Sequence, residues 1–329
     1  MGILQFACMI REFVNVIVTC TARKTVPVPS GLMMRKLRRD RLDRRFNTWS
    51  ERLKEKALTR TRAIDLYCGN SWSAIRDIFT DPSLENRLRV WVVSAGHGLV
   101  AMEEPLAPYA ATFSARNPDS VIPPELSSHS GAEWWKLLVT NRRQNGAHVA
   151  SIEDIAKLYP EDPLVIAVSS DYLKAIAFDL AASRSALVHC DHLVVIAAGA
   201  KKNGPLLENY LPCDSRLEHR FGRSRMALNS RIIKSIVSEF PAREIRASNL
   251  GPHFRALIAG LPQSGYPERR PTDDRTVCDF IRRNISSDEK PAYTTLLRLF
   301  RGSGRACEQS RFRELFHREV DDNKAVERG

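Results

Sequence analysis

Four short apolar runs, each closing on small or polar residues, constrain this chain more than any other feature. Phe13–Thr19 ends in Cys20 and Thr21, with Lys24 just beyond; Leu88–Val93 ends in Ser94, Gly96 and His97. Leu164–Val168 ends in Ser169, Ser170, Asp171 and Tyr172, and Leu193–Ala198 closes on Gly199. Runs of this length that do not alternate with polar residues read as strands buried on both faces of a parallel sheet. A helical pattern over 172–182 joins the third run to the fourth as a βαβ unit. The expected fold class is therefore α/β, with a doubly wound, mostly parallel sheet. Ligands of such sheets bind beyond the carboxyl ends of the strands. Thr21, His97, Asp171 and Gly199 are accordingly expected along one rim, over a small, polar pocket floor.

A chain of 329 residues with 43% hydrophobic content has enough apolar material for one large core and a small appendage. Its formal net charge of +12 favours a polyanionic partner such as nucleic acid. Between Arg35 and Arg62 twelve Lys or Arg stand against four acids, and one sign dominates instead of alternating. Arg38, Arg41 and Arg45 in this stretch are candidates for contacts to a DNA backbone. The seven cysteines form no CxxC pair and have no His-rich neighbourhood, so reduced thiols are expected, with no metal and no cofactor. Arg11 and Glu12 interrupt the apolar patches of residues 1–20, and no stretch approaches the roughly 20 apolar residues of a membrane span. A cytoplasmic protein without a membrane partner is expected; the oligomeric state has no sequence signal.

The organisation reads as a domain over 1–251, a Pro- and Gly-rich linker or cap over 252–271, and a helical module over 272–329. Residues 33–62 show near-helical apolar spacing, Ser71 reads as a helix cap, and 103–124 as a long irregular loop. Helices are expected over 131–144, after the cap signal at Ser151, and over 226–240. In the last module, helices over 277–284, 291–300 and 307–318 with a Gly302-Ser303-Gly304 turn read as helix-turn-helix-like, bringing Arg305 and Arg311 to a groove of DNA. Lys201, Lys202, Arg223 and Arg225 are further basic turn residues that suit a phosphate backbone.

No GxxxxGK[ST], GxGxxG or GxSxG stretch occurs, which argues against the standard phosphate loops and the serine-hydrolase elbow. Carboxylates that follow strands or loops are few. Asp65, Glu104 and Asp171 are candidates to activate water or stabilise a cationic sugar, with His97 as a donor to a leaving base. Asp65 and Asp171 read equally as helix caps. Tyr67, Tyr109 and Tyr172 suit stacking on a planar base or burial in the core.

Three ordered stretches, Asp65-Leu66-Tyr67-Cys68-Gly69, Val93-Ser94-Ala95-Gly96-His97-Gly98-Leu99 and Glu104-Pro105-Leu106-Ala107-Pro108-Tyr109, together resemble the YaaA-like superfamily. The likeness spans roughly Val14 to Phe113 and places Lys24, Tyr67, Ser94, His97, Glu104 and Tyr109 on matching positions. It implies a sheet similar to that of uracil-DNA glycosylases, a base-handling pocket and a nucleic-acid partner, in some members deazaguanine-modified DNA. Cys20, Thr21, Lys24, Tyr67, Ser94, Tyr109, Ser169 and Tyr172 are then expected to surround the base. The resulting expectation is a DNA glycosylase that excises a modified base from duplex DNA, in defence against phage with modified genomes. A non-enzymatic DNA-binding stress protein and a deazapurine-modifying transferase are the alternatives. The second βαβ unit and the terminal module have no counterpart in the small members of that superfamily.

Overall fold

The computed structural model describes residues 13–38, 40–85, 87–115, 117–122, 130–197, 206–222, 227–263, 270–285 and 291–326, with side chains to residue 320. The chain divides into two compact units, Met1–Gln263 and Ser264–Gly329.

In the first unit the chain runs through β1 (Val14–Thr19), α1 (Leu42–Leu53), β2 (Thr61–Arg62), α2 (Ala63–Leu66) and α3 (Asn70–Phe79). It continues through β3 (Leu88–Ser94), β4 (Gly98–Ala101), β5 (Pro105–Leu106), α4 (Ser130–Gln144), α5 (Ile152–Leu158), β6 (Leu164–Ala167) and α6 (Ser170–Ala186). It closes with β7 (Leu193–Ile196), α7 (Leu217–Phe221), α8 (Leu228–Glu239) and α9 (Ala247–Ala259).

The four apolar runs are the four parallel strands of a five-stranded sheet in the order β4-β3-β1-β6-β7, with β4 antiparallel at one edge. Every residue of β6 and β7 is buried, as strands covered on both faces require. Helix α8 packs on β1, β6 and α3, while α4 packs on β4, α1 and α6, giving the helical layers of a doubly wound α/β fold. The chain leaves β1 for β3 and β4 on one side, then returns to β6 and β7 on the other, so strand order reverses between β1 and β6.

Three local expectations are corrected. The basic stretch over 33–62 is helical only over α1; Leu32, Met34 and Leu37 are buried from short turns before it, and Thr61 afterwards pairs with Leu106. Helix α3 is capped at Gly69, whose φ of 109° suits a residue without Cβ, and not at Ser71. Pro252 lies inside α9 instead of in a linker, because Leu250, Phe254 and Ile258 recur every four residues and bury one face. Strand β4 had no sequence counterpart: its four residues follow a turn of Ala95, Gly96 and His97 that carries none of the usual hairpin dipeptides.

The second unit comprises β8 (Arg270–Pro271), α10 (Asp274–Asn284), α11 (Tyr293–Gly302), β9 (Arg305–Ala306) and α12 (Gln309–Val326). Val277, Ile281, Leu296, Phe300, Phe312 and Leu315 form its separate core, and Arg282 holds the buried Glu319 at 2.6 Å. Among the described residues no helix is long and apolar enough to cross a membrane.

Candidate functional site

A crevice of about 670 Å³ opens where the carboxyl ends of β1 and β6 diverge, the place at which open α/β sheets hold their ligands. Cys20 and Thr21 line it from the end of β1, and Ser169 and Tyr172 from the end of β6 and the start of α6. Three helices contribute first-turn residues: Ser71 and Trp72 of α3, Tyr172 of α6, and Asn229 and Ser230 of α8. Helix starts carry partial positive charge, so three together favour an anionic group. Two carboxylates, Asp214 and Glu218, stand in the same wall. Arg216 binds Asp214 at 2.7 Å, and Glu218, in α7, is 4% exposed.

Polar side chains fix the crevice wall. The Cys20 thiol and the Tyr172 hydroxyl lie 3.2 Å apart, and the Asn229 amide donates to the Val168 carbonyl at 3.1 Å. Burial pushes the Tyr172 phenol well above its ordinary range, so it stays protonated.

Behind the crevice lies a closed network that contains most of the motif residues. The Ser94 hydroxyl donates to Tyr109 Oη at 2.6 Å and accepts the backbone N–H groups of Gly96 and His97 at 3.2 and 2.9 Å. The Tyr67 and Tyr109 hydroxyls meet at 3.0 Å. Lys24 sits 4.3 Å from the Tyr109 ring centre and 5.3 Å from that of Tyr67, and its ammonium donates to the Thr21 carbonyl at 2.7 Å. Lys24 therefore holds the backbone of a crevice residue from the protein side. Burial lowers its pKa. Tyr67 and Tyr109 are fully buried, so neither has a face free to stack on a base.

The structure divides the expected site residues. Cys20, Thr21, Ser169 and Tyr172 gather in the crevice; Lys24, Tyr67, Ser94 and Tyr109 form the network behind it. His97 does not share that rim. It lines a separate pocket, and its Nε2 lies 3.0 Å from the Ala107 carbonyl, which can only accept, so Nε2 carries the proton. Burial pushes the His97 pKa down to about 4, and the ring is neutral near pH 7.

The three expected carboxylates lie outside the crevice. Asp65, on the surface of α2, is held by Arg62 at 2.7 Å. Asp171, in the first turn of α6, is partly exposed and 3.9 Å from Lys174. Glu104 accepts both terminal nitrogens of Arg142 at 2.7 and 2.9 Å, a bidentate pair that ties the loop after β4 to α4. Asp214 and Glu218 are not among the expected residues because they do not directly follow a strand end; their spacing of four residues within Cys213-Asp214-Ser215-Arg216-Leu217-Glu218 is the available signal.

Of the expected backbone contacts, Arg38, Arg41 and Arg305 are exposed. Arg45 is buried, with its guanidinium donating to the Arg38 carbonyl at 3.3 Å, and Arg311 is paired with Asp274 at 2.6 Å. Gly199, Lys201, Lys202, Arg223 and Arg225, also expected at the site or on the DNA backbone, lie outside the described residues. No cluster of His, Cys, Asp and Glu that would hold a metal occurs among the described residues. Compared with protein-family models, curated proteins and solved structures, the chain matches none of them.

Proposed function

We propose that this protein is a DNA glycosylase that receives a nucleotide flipped out of the duplex in the β1/β6 crevice and hydrolyses its N-glycosidic bond. One observation carries the reading: three helix starts, two carboxylates and aromatic side chains border a single cavity of nucleotide size at the point where strand order reverses. The helix starts suit a phosphate, and Tyr172 stands in the wall beside the space for a base. Cleavage of a glycosidic bond develops positive charge on the sugar, which a carboxylate stabilises while activating water. Glu218 and Asp214 take that role, replacing Asp65, Glu104 and Asp171. The net charge of +12 and the resemblance of the motif residues to the YaaA-like superfamily support a nucleic-acid substrate. The α11–α12 pair is read as a helix-turn-helix-like element that holds the duplex, and the sheet as similar to that of uracil-DNA glycosylases.

The test is abasic-site formation on modified and unmodified phage DNA with the wild type, Glu218→Gln and Asp214→Asn. At least one amide variant is expected to lose about 100-fold or more in rate, the scale of a missing acid–base group, while keeping the wild-type melting temperature. Full activity in both folded variants refutes the carboxylate assignment. Salt-dependent duplex binding by the wild type with no abasic sites refutes the glycosylase reading and favours a binding protein.

A further inference from the structure

We infer that a second pocket, bordered by α1, the Arg60 segment, β3 and the end of α4, binds a nucleotide through its phosphate. The pocket has a volume of about 640 Å³ and shares no lining residue with the crevice. That volume fits a mononucleotide.

The pocket wall leaves hydrogen-bonding capacity open. Lys54 and Arg60 both line the pocket and are exposed, and among the described residues neither is paired with a carboxylate. Arg60 spends one donor on the Leu53 carbonyl at 2.8 Å, at the C-terminal end of α1. Two buried donors from lining residues, Trp91 Nε1 and Arg142 Nε, have no hydrogen-bond acceptor. Both atoms are closed off from solvent, so the capacity that a ligand in the pocket can reach is that of Lys54 and Arg60. Two acceptor groups in the same wall are engaged within the protein: Glu104 takes both terminal nitrogens of Arg142, and Asn141 Oδ1 accepts from Asn145 at 3.0 Å. An open pocket with two exposed cations, Lys54 and Arg60, that no carboxylate pairs among the described residues calls for a ligand rich in acceptor oxygens and negative charge, which describes a phosphate.

The pocket is built to hold this geometry. Arg142 crosses Gly98, where an added Cβ would come within 2.8 Å of its Cδ, and the Glu104 clamp fixes its guanidinium. Trp49, fully buried beneath the pocket, donates its indole N–H to the Gly96 carbonyl at 2.8 Å and fixes the turn that carries His97. His97, neutral, adds no positive charge, so the attraction for phosphate comes from Lys54, Arg60 and the part of Arg142 that Glu104 does not cancel. Of the cations in the basic stretch over 35–62, Lys54 and Arg60 face this pocket.

Isothermal titration of the full chain with deoxyadenosine monophosphate, and with deoxyadenosine as the arm lacking phosphate, tests the inference. Saturable binding of the monophosphate is expected, weaker by at least tenfold in the surface double variant Lys54→Ala/Arg60→Ala and for deoxyadenosine. Competition by a short single strand then assigns the phosphate to a DNA chain, and failure to compete assigns it to the free nucleotide. Absence of binding to the wild type, equal binding of deoxyadenosine, or unchanged binding in a double variant that keeps its melting temperature overturns the second site.

Discussion

A Cβ added to Gly96 would lie 2.4 Å from Cδ2 of Tyr109, so the Tyr109 ring occupies the space that any larger residue at position 96 needs. Gly96→Ala is expected to destabilise the fold by about 2 kcal/mol or more, because the buried ring must shift within a packed core. Urea unfolding of the variant against the wild type measures the cost; a change within about 0.5 kcal/mol contradicts the packing.

Tyr109→Phe tests the hydroxyl separately from the ring. The Ser94 hydroxyl and the Tyr67 hydroxyl each lose their buried partner, with an expected cost of about 1–3 kcal/mol. A Tyr67→Phe/Tyr109→Phe pair is expected to cost less than the sum of the singles, because the second change leaves fewer groups without partners. Additive losses in denaturant melts contradict a connected network.

His97 makes stability depend on pH in a defined direction. Its folded pKa near 4 lies below the ordinary value near 6.5, so the unfolded chain takes up the proton first as pH falls. The stability from this group is complete above pH 7, is lost progressively from about pH 6.5 to about pH 4, and amounts to at most about 3 kcal/mol. Against a His97→Asn variant, the wild-type advantage in urea midpoint is expected to shrink over that window. A constant gap contradicts burial of the neutral ring.

Glu104→Gln is expected to lower stability by about 1–2 kcal/mol while leaving base excision within severalfold of wild type. Its carboxylate serves Arg142 and lies outside the crevice. A loss of excision near 100-fold in a well-folded variant restores Glu104 to the chemistry.

The parallel strands were legible because burial on both faces forces uninterrupted runs such as Leu164–Val168 and Leu193–Ala198, and their ends mark the ligand edge directly. Cys20, Thr21, Ser169 and Tyr172 follow from that rule alone. The rule failed at Ser94 and His97, since β3 ends in a hairpin to an antiparallel neighbour and its turn is closed by the Ser94 hydroxyl instead of opening onto the crevice. Tyr67 and Tyr109 show the other limit: a hydroxyl that meets a second hydroxyl in the core has the same sequence signature as one that awaits a base. Asp214 and Glu218 reach the crevice through a connection after β7, and no local pattern says which strand ends such a segment will cover.

Mass analysis of the small-molecule products from modified phage DNA incubated with the full chain tests the central claim most directly. The expected result is an intact free base in amounts equal to the abasic sites formed, absent with Glu218→Gln/Asp214→Asn. DNA that is bound yet yields no free base, or that keeps an altered base attached to its sugar, contradicts hydrolysis in the β1/β6 crevice.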